Sequence, residues 1–405
     1  NAIVIVPSVL LQDQWLRELN EHIKGVDIHR VGGKITSSGW KEHVTSYTSK
    51  SRSGKKQIVL GVRQSICSPA FYKNLKSNNH LMVLVDEAHT IGAQQSRHFL
   101  ESAEINFRLA LSATYERAND YLGTKRIVDY FGHPLEPKYG IAEAIHDERL
   151  VKYDYEIETV SLTAIEEDEW IEQSKKIRQQ WAIFESNKKK KAMPIKLKRL
   201  LIERAKISKK AKNKVKKALS IISHNYDINE SQRWLIYCQD IEQLESLSKE
   251  IFNAGFVCSV YYAGLDSDTK KATLEEFYKK GGLLLSIKCL DEGVDIPSAD
   301  HALILASSSN KREYIQRRGR VLRVDKNNSF KRAKIFDLIT VAQAYSDKYI
   351  QSLVHTELIR AYEFSGFARN KSIARLKINE LFYKFKIDAN EFVYNEKEDI
   401  ESDEI

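Results

Sequence analysis

The segment Leu81-Met82-Val83-Leu84-Val85-Asp86-Glu87-Ala88-His89 is an apolar, strand-like run that ends in two adjacent carboxylates. Ligands of open α/β sheets bind outside the carboxyl ends of the strands, so Asp86 and Glu87 stand where such a ligand would be met. Two acids held together repel unless a cation lies between them, and Mg²⁺ carried by a nucleotide supplies one. Asp86 then holds the ion through water, while Glu87 orients and deprotonates the attacking water. An apolar strand that happens to end in Asp-Glu is common in any α/β protein; the whole nine-residue string is not. Further along, Leu109-Ala110-Leu111 runs into Ser112-Ala113-Thr114. Hydroxyls beside a phosphate-hydrolysis centre bond both the acids and neighbouring backbone, which makes Ser112 and Thr114 a relay rather than a catalyst. Alone, Ser-Ala-Thr is more often a helix cap or turn, and its weight comes from its order after the acids.

A second constellation lies in the other half of the chain. Cys289-Leu290-Asp291-Glu292-Gly293-Val294-Asp295-Ile296-Pro297 follows a strand, and Tyr314 to Arg323 holds four arginines within seven positions. On a helix, Gln316, Arg320 and Arg323 fall on one face at i, i+4 and i+7. Guanidinium groups brought across a cleft between lobes would neutralise charge developing on a γ-phosphate, as arginine fingers do. The competing reading is a solvated basic helix, or plain contacts to backbone phosphates; Gly319 disfavours an ordinary exposed helix.

Short β-branched runs alternate with amphipathic helical patterns twice over, which predicts parallel sheets with crossover helices. The first set of strands is Ala2 to Val6, Gln57 to Gly61, Leu81 to Val85 and Arg108 to Ser112. The second is Trp234 to Cys238, Cys258 to Tyr262, Leu283 to Ile287, Ala302 to Leu305 and Ala333 to Asp337, with helices at Ile241 to Ala254 and Asp268 to Tyr278. After Val6, a helix places Val9, Leu10, Trp15, Leu16 and Leu19 on one face and Gln12, Asp13, Arg17 and Glu18 opposite. Glu166 to Ile222 shows no strand signal and reads as a long helical connector. The expected organisation is lobe 1 over 1–155, a basic helical connector over 156–228, lobe 2 over 229–345, a C-terminal helical extension over 346–395 and an acidic, disordered tail over 396–405. The fold class is α/β: two parallel-sheet lobes with a helical connector and a helical C-terminal extension.

The 405 residues suffice for two or three domains, and 42% hydrophobic with 29% charged residues excludes a fibre or a wholly disordered chain. The formal net charge of +9 is unevenly placed. Lys188 to Lys217 holds 15 Lys/Arg against the single acid Glu203, the last ten residues hold six acids and one Lys, and the remainder balances to zero. Lys209, Lys212 and Lys216 are therefore candidate nucleic-acid contacts, against the alternative of a solvated helix face. No apolar run approaches the ~18 residues of a membrane span, and no basic region precedes an apolar stretch at the start as in a signal peptide. Four Cys with neither CxxC nor zinc spacing fit a reducing compartment, the cytoplasm.

Taken together the motifs resemble the helicase core of superfamily 2, a pair of RecA-like lobes driven by ATP. Asp86-Glu87-Ala88-His89 resembles motif II, Ser112-Ala113-Thr114 motif III, Glu292-Gly293-Val294-Asp295 motif V and Gln316 to Arg323 motif VI. Val6-Pro7-Ser8 through Gln14-Trp15 is similar to motif Ia, and Trp234 to Cys238 to motif IV. The QRRGRVLR form and the Ser-Ala-Thr-Tyr-Glu-Arg string look most like the XPB-like and type III restriction res-subunit group. The resemblance implies ATP and Mg²⁺ as cofactors, with Asp86, Glu87, Gly293, Asp295, Arg320 and Arg323 at the nucleotide. It implies catalytic parts for Asp86, Glu87, His89, Gln316, Arg320 and Arg323, and coupling through Ser112, Thr114 and Arg317. It implies nucleic acid, DNA favoured, gripped by Pro7, Ser8, Gln64, Ser65 and Ser286.

One motif of that family has no counterpart. Neither Gly33-Lys34 nor Gly54-Lys55 completes the GxxxxGK[ST] phosphate loop, so the expectation is a helicase whose N-terminal segment stands elsewhere, with little hydrolysis by these 405 residues alone. The implied function is an ATP-dependent helicase or translocase, the motor of a bacterial antiviral defence, restriction or repair system, with a nuclease on another chain. The alternative is a catalytically inactive helicase-fold subunit that binds nucleic acid or assembles a complex.

Overall fold

Five consecutive apolar residues form strand β1 (Ala2–Val6), and a strand with no polar face needs cover on both sides. In the structure, a computed structural model, Ile3 and Ile5 enter one core with Val59, Val83 and Phe99, while Val4 and Val6 enter another with Leu19, Ile58 and Leu60. The structure describes residues 1–33, 40–50, 54–76, 80–117, 120–137, 139–186, 193–287, 299–307, 311–325, 328, 331–343 and 348–387. β1 is central in a sheet that also contains β2 (Val26–Val31), β3 (Lys56–Val62), β4 (Met82–Val85) and β5 (Phe107–Ala110). Their order among the described residues is β2-β3-β1-β4-β5, every pair parallel. β2 escapes the sequence pattern because Val-Asp-Ile-His-Arg-Val is an edge strand of mixed polarity and mostly half-buried. Gln12, expected on the solvent face of the first helix (Val9–His22), is instead fully buried. Its amide nitrogen donates to the Val31 and Leu60 carbonyls at 3.1 and 2.9 Å, joining the helix to β2 and β3.

The described residues form two compact units, one reaching residue 137 and the other beginning at Tyr139. The second holds β6 (Tyr153–Ser161), β7 (Arg233–Cys238), β8 (Cys258–Tyr261), β9 (Gly282–Ile287), β10 (His301–Ile304) and β11 (Ala333–Val341). They are ordered β6-β11-β10-β7-β9-β8, again with all pairs parallel. Trp234, Ile236, Leu283, Leu285, Leu303 and Leu338 are packed beneath helices Asn213–Asn225 and Ile241–Asn253 through Ala218, Ile222, Leu244 and Leu247. The expected α/β class, two parallel-sheet lobes with helical segments, is the fold observed.

The boundary near 155 differs. Tyr153, Tyr155 and Ile157 are buried and alternate with Asp154, Glu156 and Glu158, a period of two that makes this segment an edge strand of the second sheet. The connector helices, Ala164–Ser186, Ile195–Lys209 and Asn213–Asn225, belong to the same unit. So do the C-terminal helices Lys348–Ser365 and Lys371–Lys384. An exposed strand edge invites pairing with another chain, and here Asn370 blocks it. Its side chain accepts from the Tyr155 amide at 2.9 Å and donates to the Tyr155 carbonyl at 3.1 Å, as a neighbouring strand would.

The lysines of the basic helix do not form one solvated stripe. Lys212 and Lys216 are exposed and Lys209 is half-buried, but Lys210 pairs with Asp240 and Glu242, and Lys217 lies 2.6 Å from Glu158. Lys214 is 1% exposed, its ammonium donating to the Leu305 carbonyl at 2.6 Å. The sheet covers it because position 214 shares the helix face of Ala218, Ile221 and Ile222. Burial lowers its pKa from 10.5 to about 8, against the opposing attraction of Glu357. Between those values the unfolded chain binds more protons than the folded one, so this group's destabilising effect is full below pH 8 and relieved as pH rises. In urea unfolding, wild-type stability relative to Lys214→Met rises between pH 8 and pH 10 and is flat below pH 7; a constant difference across that range contradicts the assignment.

Candidate functional site

In the first sheet the register pairs Ile5 with Gly61 and Val85, and Val85 with Ala110, so the carboxyl ends of β3, β1, β4 and β5 lie side by side. The residues that follow these strands collect along one edge. Pro7 and Ser8 follow β1, Gln64 and Ser65 follow β3, Asp86 and Glu87 follow β4, and Ser112 and Thr114 follow β5. Ser8 caps the first helix, its Oγ accepting from the Leu11 amide at 3.3 Å. Gln64 is exposed and Ser65 half-buried; a Cβ on Gly32 would stand 2.3 Å from Ser65 Oγ, so glycine lets the end of β2 close against it.

Asp86 continues the ladder, its amide donating to the Ile5 carbonyl at 2.9 Å. Its carboxylate accepts from two N–H groups: the Trp15 indole Nε1 reaches Oδ2 at 2.8 Å and the Glu87 amide reaches Oδ1 at 2.9 Å. Glu87 adopts φ 49°, ψ 54°, left-handed backbone that costs a side-chain-bearing residue about 1–2 kcal/mol. That amide bond and the Thr90 hydroxyl, which donates to the Glu87 carbonyl at 2.9 Å, hold the kink. Glu87 Oε2 then stands 3.3 Å from Nδ1 of buried His89, and the same nitrogen stands 3.3 Å from Ser112 Oγ. The Ser112 hydroxyl donates to the Thr114 carbonyl at 2.6 Å. These contacts run from Glu87 through His89 and Ser112 to the Thr114 main chain, with His89 standing between the hydroxyl and the acid.

Beyond it lies a clamp that motif reading missed. The Arg117 guanidinium donates to the His89 carbonyl and, at 2.8 Å, to Asp120 Oδ2, while Asp120 Oδ1 accepts from the Gly123 amide at 2.7 Å. Burial opposes the Asp120 charge, but Arg117 and the Gly123 amide hold its pKa below the usual carboxylate value. A Cβ on Gly92 would stand 2.7 Å from the Gly123 carbonyl and 2.8 Å from Arg117 Cδ, so the guanidinium passes only because both positions lack side chains.

Residues 1–117 match the family described as type III restriction enzyme, res subunit, and residues 212–325 match the helicase conserved C-terminal domain. The chain carries a superfamily 2 helicase core. It is 22% identical over 358 residues to the DNA 3'-5' translocase XPB2 of Sulfurisphaera tokodaii, covering 85% of this chain and 73% of that protein. It is 26% identical over 110 residues to the pre-mRNA-processing ATP-dependent RNA helicase PRP5 of Gibberella zeae, covering 27% of this chain and 9% of that one. Among solved structures it resembles S. cerevisiae Dbp5 bound to RNA and ADP BeF3, at TM-score 0.51 and 11% identity over 94% of this chain and 81% of that one, a likeness of RecA-like fold.

In the second lobe of the helicase core the arginine helix spans Lys311–Leu322. Arg317, Arg318 and Arg320 are only 3, 3 and 6% exposed, which removes the solvated-helix alternative. Arg317 Nη1 donates to the Ala306 carbonyl at 2.6 Å and its guanidinium stands 5.2 Å over the Tyr237 ring; Arg318 stands 4.0 Å over Phe364. Gln316 is half-buried. Arg323 is a correction: the helix ends at Leu322, and Arg323 pairs with Leu150 as a β-bridge, so the expected i+7 face stops at Arg320. Ser286 is another, because it lies fully buried within β9 and offers no hydroxyl to a phosphate at the surface. Gly293, Asp295 and the rest of the 289–297 segment, the run Lys188 to Lys191 and the acidic tail lie outside the described residues. None of the described helices is long and apolar enough to cross a membrane.

Trp15, expected on the apolar face of the first helix and within the segment similar to motif Ia, has a further contact that neither reading contained. Its ring does join a partly buried cluster with Leu11, Leu16 and Ile23, but a half-buried indole also needs an acceptor, and that acceptor is Asp86. Trp15→Phe keeps the packing and removes the donor. The expected result, in steady-state ATP hydrolysis by the intact protein, is a loss of about tenfold in kcat/KM, the worth of one hydrogen bond to a charged group, with thermal unfolding shifted little.

Proposed function

We propose that the chain is the motor of a nucleic-acid-stimulated ATPase that translocates along DNA. The observation that supports this best is the chain from Glu87 through His89 to Ser112 and Thr114, adjoining Asp86 at the strand ends of a superfamily 2 helicase core. Asp86 and Glu87 offer acceptor-only oxygens, and the two N–H groups on Asp86 leave further lone pairs for a cation. Mg²⁺ held there with ATP would neutralise phosphate charge. Glu87 takes the proton of the attacking water, His89 orients the Glu87 carboxylate, and Ser112 passes any change in that geometry to the main chain at Thr114. In the second lobe Arg320 and Gln316 carry donors of the kind that suits phosphate charge, and Arg317 couples the arginine helix to the end of β10.

DNA is favoured over RNA because the match to the DNA translocase spans 85% of this chain, against 36% and 27% for two RNA helicases. The match to the type III restriction res subunit supports a place in a restriction, repair or antiviral defence assembly, with nuclease chemistry on a partner chain. Pro7, Ser8, Gln64 and Ser65 line the same strand-end edge as the acids and suit backbone phosphates.

In the intact protein, Glu87→Gln removes the general base and lowers nucleic-acid-stimulated ATP turnover by at least about a hundredfold. Turnover unchanged by the substitution removes Glu87 as the base, and no turnover in the wild type favours a non-hydrolysing assembly subunit. Lys212→Glu with Lys216→Glu weakens DNA binding and makes the dependence of log K on log salt shallower by about 1–2 units. A slope equal to wild type, measured by titration at several salt concentrations, leaves these lysines as a solvated face.

A further inference from the structure

Polar side chains from three elements converge on the three residues after β10. Lys214 of the basic helix donates to the Leu305 carbonyl at 2.6 Å, and Arg317 of the arginine helix donates to the Ala306 carbonyl at 2.6 Å. The Ser307 hydroxyl donates to Oδ1 of Asp337 on β11 at 2.5 Å. Asp337 is fully buried, and a carboxylate there persists only with its charge answered. The Tyr155 hydroxyl donates to Oδ2 at 2.8 Å, and Arg360 Nη2 lies 3.4 Å from both oxygens. Arg360 is itself 6% exposed and bonded to Glu357 at 3.0 and 3.1 Å.

Arg360 stands four residues before Phe364 on the helix Lys348–Ser365, and four residues on such a helix share one face. That helix therefore meets the arginine helix directly through Phe364, which lies under the guanidinium of Arg318, and through Arg360 and Asp337 it meets Ser307, the neighbour of the Ala306 whose carbonyl Arg317 holds. We propose that Ser307 and Asp337 are positioning residues through which the C-terminal helix sets the orientation of the arginine helix, and with it the rate of hydrolysis rather than the affinity for nucleotide. The inference rests on the ATPase reading above for its kinetic consequence only; its structural half stands apart from it.

Two variants separate this from a merely structural network. Ser307→Ala cuts the link to the β10 end and leaves Asp337 paired with Arg360 and Tyr155. Tyr155→Phe removes a bond of equal kind from the same carboxylate on the side away from that end. In the intact protein, Ser307→Ala lowers kcat for ATP by about tenfold with KM within about twofold, and amide hydrogen exchange over residues 311–322 becomes several-fold faster. Tyr155→Phe changes neither. Exchange over 311–322 that matches wild type in Ser307→Ala, a raised KM at unchanged kcat, or an effect of Tyr155→Phe as large as that of Ser307→Ala overturns the proposal. Should the wild-type protein hydrolyse no ATP, the ATPase reading falls, and the exchange comparison alone decides whether the helix is positioned through Ser307.

Discussion

A parallel sheet whose two faces are both covered leaves polar groups few places to stand. Along β1 each residue enters one apolar core or the other, so a charge placed mid-strand would lose its water without gaining a partner. The strand ends are the exception, because there the chain turns and main-chain groups become available. The equal register of β3, β1, β4 and β5 brings those ends to one edge. From that constraint follow the position of Asp86, the hydroxyls after β5 and the helix cap after β1. The sheet does not select the chemistry; it fixes where chemistry is affordable and at what spacing.

Precision at that edge comes from local strain and its compensation. The left-handed backbone at Glu87 is unfavourable alone, and it persists because the Asp86 carboxylate and the Thr90 hydroxyl bond the two peptide groups that flank it. Arg117 then fixes the carbonyl of His89, two residues on, and is itself fixed by Asp120 in a passage that two glycines keep open. The result is a carboxylate, an imidazole and a hydroxyl held in sequence beside main-chain groups that are themselves bonded in place.

The acids, the hydroxyls and the arginines were legible in the sequence because each is a polar cluster that interrupts an apolar run. The central strands were legible for the same reason in reverse. What sequence did not disclose were contacts between segments far apart. Trp15 fits an apolar helix face, and only the approach of that helix to the end of β4 reveals its indole as a donor to a carboxylate 71 residues away. Gln12 and Lys214 are of residue types that usually stand in water, yet one donates to a carbonyl of β3 and the other to the carbonyl just after β10. β6 straddles the expected boundary at 155 because its outward residues, Asp154, Glu156 and Glu158, resemble a helix surface. Its aromatic alternation becomes decisive only beside β11, a partner some 180 positions away in register.

The second lobe poses an energetic question of its own. A buried Asp–Arg pair is weak evidence for stability, since well-packed apolar residues in its place are often neutral or stabilising by about 1–4 kcal/mol. Asp337 alternates along β11 with Phe336 and Leu338, which enter the apolar core, and is bonded instead to Tyr155, Ser307 and Arg360, with Glu357 on Arg360. Apolar side chains could fill that volume, but they could not hold the Ser307 hydroxyl at 2.5 Å or distinguish one orientation of the residues after β10 from another. Hydrogen bonds are directional where dispersion is not. The network is therefore better explained by the geometry it imposes on the approach to the arginine helix than by any stability it adds, and the free energy spent burying its charges is recovered as a defined placement of Arg317 and Arg318.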